Sequence, residues 1–154
     1  MLAVLAVLIA VSSASGENTA SPVCDIGRLA LQELPTLDPN KGYARFYGDA
    51  HLKSADLLTA CPTLRYGLPS GFALADEIAT KRAGDHLPQY AGRSTPLTMI
   101  FEIGIPVISP DGKSAVVEMG TTCTGLCGSG FIAHYVRGPG GWRRDGKIFN
   151  AFVS

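Results

Sequence analysis

The stretch PLTMIFEIGIPVISPDGKSAVVEMGTTCTGLCGSGFIAHYVRGPGGWRRDGKIFNAFVS, residues 96–154, decides the fold. Its odd positions Met99, Phe101, Ile103, Ile105 and Val107 are all apolar, whereas Glu102 and Gly104 interrupt the even ones. That alternation predicts a strand with its odd face turned to a core. Pro110-Asp111-Gly112 then suits a three-residue hairpin loop, with proline opening the turn and glycine taking the left-handed position. In that register Ala115, Val117 and Met119 join the inward face, and Glu118 shares the outer face with Glu102. After the CTGLCGSG loop, residues 131–137 read as a third strand, and residues 142–153 as a fourth with a break at Asp145-Gly146. The whole is the pattern of a four-stranded antiparallel meander.

Upstream the period changes from two to that of a helix. Ser21 offers a capping oxygen, Pro22 suits the first helical position, and Val23, Ile26, Leu29, Ala30 and Leu34 recur at helical spacing until Pro35 stops the run. A second short helix is expected over residues 51–60 behind Asp49, with Leu52, Ala55, Leu58 and Thr59 inward and Cys61 at its exit. A third is expected over residues 71–83, with Ser70 as its cap and Gly84 as its stop; residues 72–78 also read as a strand. Helices followed by antiparallel strands give an α+β fold, short N-terminal helices packed on the C-terminal meander. By analogy, a curved sheet wrapped on helices suggests an NTF2-like or cystatin-like arrangement.

The first fourteen residues form an uncharged apolar run closing in small residues, which predicts a secretory signal peptide cut after Ala14 or Gly16. A positive charge ahead of Leu2 is missing from that pattern. The run is shorter than the roughly 20 residues that span a bilayer, and no lipid-anchor motif precedes Cys24. The expectation is therefore a signal peptide over residues 1–16 and a single secreted or periplasmic domain over residues 17–154, with no membrane insertion after cleavage. The 13 basic and 13 acidic residues balance, which argues against nucleic acid as a partner because such binding rests on a basic patch.

Four cysteines in an exported chain imply disulfides. Of the three connectivities, Cys24 with Cys61 and Cys123 with Cys127 is favoured, since turn formers hold the second pair close. In the chain-entropy model a loop of about 38 residues contributes roughly 3.9 kcal/mol and one of about 5 roughly 2 kcal/mol.

The run ISPDGKSAVVEMGTTCTGLCGSGFIAHYVRGPGGW, residues 108–142, resembles the C-terminal signature of a loose group of uncharacterised exported bacterial proteins. In that group a Ser-Pro or Asp-Gly hairpin precedes a C-x-x-x-C-G loop and a Gly-x-Trp strand. The resemblance covers about a quarter of the chain, implies export and the meander, and transfers no catalytic residue.

Chemistry-bearing residues are sparse. Cys123-Thr-Gly-Leu-Cys127 has three intervening residues, where thiol oxidoreductases use two at a helix start, so a structural staple is the stronger reading. His51, His86 and His134 stand singly, which supports neither a metal site nor any other cofactor. Glu102, Glu118 and His134 are the acid–base candidates, because all three are expected on the sheet face away from the helices; the plainer reading is a solvated face. The leading expectation is a non-catalytic protein that binds an unidentified protein or small-molecule ligand. The alternatives are a small cleft hydrolase or isomerase using Glu102, Glu118 and His134, and an accessory subunit of a larger exported assembly.

Overall fold

Strand β3, Thr98–Ile103, is buried along its whole length, and the remainder of the fold supplies what covers it. The computed structural model describes residues 21–37, 42–48, 56–85, 97–125 and 127–153. The expected signal peptide, the Asp49 cap with the start of the second helix, and His51 and His86 lie outside those residues.

The protein is α+β. Helix α1 spans Pro22–Glu33, β1 Ala44–Tyr47, α2 Leu57–Ala60, β2 Phe72–Leu74 and α3 Glu77–Ala83. After β3 come β4 Val107–Ile108, β5 Ser114–Cys123, β6 Ser129–Gly138, β7 Gly141–Arg144 and β8 Phe149–Val153. Among the described residues these make one eight-stranded sheet in the order β2-β1-β3-β5-β6-β7, with β4 also on β5 and β8 also on β6. The four-stranded expectation is corrected in two ways. Strands β1 and β2 add a parallel edge to β3, and the expected fourth strand divides into β7 and β8, both antiparallel to β6.

The odd face carries the main core. Ile26, Ala30, Leu31 and Leu34 from α1 and its exit pack on Met99, Phe101 and Ile103 of β3, on Val117 and Met119 of β5, and on Ala133 and Tyr135 of β6. Helix α1 is fixed at its end where the Tyr135 hydroxyl donates to Glu33 at 2.8 Å, with Arg144 Nε 3.6 Å from the same carboxylate. Ser21 sits at the N-cap, but its side chain makes no capping bond; its carbonyl accepts from Cys24 N–H and Asp25 N–H instead.

Val107 departs from the alternation and is 68% exposed. Gly104 pairs with Asp56 rather than continuing β3, and Pro106 has no N–H to offer a ladder. The pleat therefore restarts one residue out of phase, and Ile108, opposite Ala115, packs on the core in place of Val107. The third segment divides: the strand alternative holds for Phe72–Leu74, which is β2, whereas the helix expected from residue 71 begins only behind Asp76, whose carboxylate accepts from Ala79 N–H at 2.7 Å, so Ser70 is not its cap.

Both disulfides join the expected partners, Cys24 to Cys61 and Cys123 to Cys127. The first ties α1 to the exit of α2 with Cα atoms 5.6 Å apart. Gly27 permits that approach, since a Cβ there would lie 2.5 Å from Leu57 Cδ1. The second closes the loop between β5 and β6, which also anchors its surroundings. Thr124 Oγ1 donates to Arg82 O at 2.8 Å and accepts from Thr98 N–H at 3.1 Å, while Gly125 N–H donates to Asp85 O.

Replacing Cys24 and Cys61 together by serine is expected to cost about 4 kcal/mol, because that bridge constrains the longer loop. Replacing Cys123 and Cys127 should cost about 2 kcal/mol. Denaturant midpoints of the two double variants check both the values and their order.

Candidate ligand pocket

Strands β1 and β2 run parallel to β3 but are short, so their C-terminal ends stop beside the middle of β3 and leave a recess. A cavity of about 650 Å³ lies there, walled by the ends of β1 and β2, by α2 and the turn after it, and by α3. Pockets of this size that mix apolar walls with a few polar groups are typical small-molecule sites. Here Leu58, Leu74 and Ile100 are among the apolar walls, and Asp56, Arg65 and Glu102 supply the charges.

The floor is set by close backbone approach. Gly48 N–H donates to Phe101 O and Ala75 N–H to Tyr47 O, which binds the strand ends together. A side chain at Gly48 would not fit, because a Cβ would come within 2.6 Å of Ile100 Cγ2. Glu102, from the even face of β3, is only 3% exposed. Beside it the Tyr47 hydroxyl donates to Asp56 Oδ1 at 2.9 Å and lies 3.4 Å from Ile103 O. Burial pushes the Tyr47 phenol well above its usual range, and the Asp56 and Glu102 carboxylates push it the same way. Tyr47 therefore stays a neutral donor that orients Asp56. Arg65 is exposed, with its Nε donating to Pro62 O at 3.0 Å. The site is acidic inside and carries its cation outside.

Of the three acid–base candidates, Glu102 alone lines this pocket. Glu118 and His134 share the even face with it but are exposed, Glu118 opposite Ile132 and His134 opposite Val116. The His134 ring meets Phe149 edge-on at 6.2 Å. Sequence reasoning missed Tyr47 and Asp56. Asp56 falls within the helix expected over residues 51–60 but is the residue before α2, and the β-prone Phe46-Tyr47 pair is the available signal for β1.

Among the described residues no group of three His, Cys, Asp or Glu is arranged to hold a metal, and no helix is long and apolar enough to cross a membrane. Fold and pocket together define a disulfide-bridged α+β protein with a ligand-sized cavity at the edge of its sheet. No family model, curated protein or solved structure matches this chain.

The Tyr47 and Tyr135 phenols are both held above their ordinary value, each chiefly by burial. Both are neutral in the folded and unfolded states below about pH 10, so their contribution is fully present there; above it the unfolded chain ionises first and stability falls. The loss should approach about 1.4 kcal/mol per pH unit for each tyrosine. Urea midpoints from pH 9 to pH 12 should fall less steeply in the Tyr47→Phe plus Tyr135→Phe variant than in the wild type.

Proposed function

We propose that this chain is an exported, non-catalytic binding protein, its single domain over residues 17–154 freed by removal of residues 1–16, and that it takes a small zwitterionic ligand in the pocket at the ends of β1 and β2. The observation that carries the reading is the polarity gradient of that pocket. Glu102 and Asp56 lie inward, Arg65 stands at the exposed mouth, and Leu58, Leu74 and Ile100 lie among the walls. An ammonium entering first would meet the carboxylates, an aliphatic body would cover the apolar walls, and a carboxylate left at the mouth would meet the arginine fork. Export draws support from the N-terminal apolar run and from two disulfides, bonds that persist in oxidising compartments. The resemblance of residues 108–142 to exported bacterial proteins points the same way. An NTF2-like or cystatin-like wrap is not part of the proposal, because the parallel β1–β2 edge lies outside the meander on which that analogy rested.

The cleft-enzyme reading draws support from Glu102 alone, since Glu118 and His134 stand on the open part of the face. A hydrolase or isomerase would need a second group beside Glu102, and of the groups that share its pocket the neutral Tyr47 hydroxyl is already given to Asp56.

Calorimetric titration with ε-aminocaproate tests the binding reading. The wild type should bind it, and Glu102→Gln should weaken binding by about tenfold or more, the value of a charge-assisted hydrogen bond of about 1.5–3 kcal/mol. Arg65→Ala should weaken ε-aminocaproate but leave hexylamine unchanged. Binding that Glu102→Gln leaves intact would place the ligand elsewhere. Intact mass of the exported fraction checks the cut near Ala14 to Gly16, and a product retaining residues 2–10 would contradict it.

A further inference from the structure

The ligand pocket lies at the β2–β1 edge of the sheet, and a second cavity of about 680 Å³ lies at the opposite edge, between α1 and the β6–β7 hairpin. The two share no lining residue. Strand register explains what the second one holds. Ala133 and Tyr135 of β6 belong to the core under α1, so Arg137, two residues on, falls on the same face past the end of that core, and Trp142 of β7 stands directly opposite it. Trp142 is half-buried, packed on the core while also lining the cavity. Asp25 and Arg28 line it from α1. Gly140 brings only backbone to the rim, with open space where a Cβ would stand.

The charges around this cavity are unequally matched. Arg28 Nη1 donates to Asp25 Oδ1 at 3.1 Å within one turn of α1, and Arg144, on the same sheet face as Arg137, is paired with Glu33. Among the described residues Arg137 has no acidic partner and no side-chain hydrogen bond. The cavity therefore carries one uncompensated guanidinium, an indole and a neutral donor–acceptor pair. We propose that it is a second binding site, and that it takes an acidic sugar, a pyranose ring bearing one carboxylate. The carboxylate meets the Arg137 fork. The C–H face of the sugar ring, weakly positive, covers the indole, whose face is negative. Hydroxyl groups both donate and accept, which suits a pair in which Asp25 accepts and Arg28 donates. A plain aromatic acid would satisfy Arg137 and Trp142 but bring no donor to Asp25, and that difference selects a hydroxylated ring. The volume is that of a small-molecule site.

Trp142 is the chain's one tryptophan, so its fluorescence reports this cavity and not the first. Titration of the disulfide-intact chain with glucuronate at low salt should give a saturable change. Glucose should bind more weakly by about fivefold, the upper end for an ion pair at an exposed arginine. Arg137→Ala should bring glucuronate down to the level of glucose. Asp25→Ala with Arg28→Ala, which leaves the net charge unaltered, should weaken glucuronate and glucose alike; both positions are partly exposed, so an unchanged circular dichroism spectrum should accompany the loss. Cyclohexanecarboxylate, which keeps ring and charge but lacks hydroxyls, should bind more weakly than glucuronate. Glu102→Gln should leave this titration as in the wild type, so failure here and failure of the first pocket are separable. No saturable change with glucuronate overturns the proposal. An affinity that Arg137→Ala leaves intact, or cyclohexanecarboxylate binding as tightly as glucuronate, overturns it equally.

Discussion

A single strand that must be dry on both sides sets the terms for the rest of the structure. All six side chains of β3 are buried, including Thr98 and Glu102. A sheet strand offers its odd and even positions to opposite faces, so such a strand needs two layers of cover and a neighbour on each edge. Helix α1 supplies one layer and α3 the other; β1 and β5 supply the edges. The pocket follows from the same requirement. Where β1 and β2 end, the cover over β3 becomes incomplete, and the side chains that β3 contributes to the gap are Ile100 and Glu102.

The covering layers are held by few but specific links. Helix α1 is bridged to α2 by Cys24–Cys61 and joined to β6 and β7 through Glu33. The Glu33–Arg144 pair is partly exposed at 3.6 Å and contributes little by itself. The buried Tyr135 donor matters more, because its loss would strand a carboxylate beside a core position. Helix α3 is held through the Cys123–Cys127 loop, where Thr124 satisfies both the last turn of the helix and the first residue of β3. The C-x-x-x-C segment, whose three-residue spacing favours a structural staple over a redox pair, serves the fold as a clamp.

What the sequence conveyed depended on how far apart the cooperating residues stand. Helix α1 and the odd faces of β3 and β5 have local periods and were read directly. The pleat slip at Gly104 and Pro106 has no periodic signature, so alternation alone turns Val107 inward whereas the structure exposes it. Strands β1 and β2 are four and three residues long, so β1 shows no alternation and β2 reads only as the alternative to a helix, and their parallel pairing at a distance leaves no local mark. The pocket suffers from the same cause: Tyr47, Asp56, Arg65, Leu74 and Glu102 come from separate elements, and each is commonplace in its own segment. Glu102 stands out in the sequence because it interrupts an apolar run, and with the Phe46-Tyr47 pair it is the trace of the site that the sequence carries.

Native-state hydrogen exchange tests the central role of β3 most directly. If β3 is the element on which both layers depend, its amides from Thr98 to Ile103 should exchange only through global unfolding, with free energies equal to that from denaturant melts and well above those of β2, β7 and β8. Exchange of β3 amides through local opening, at rates like those of β8, would contradict the account.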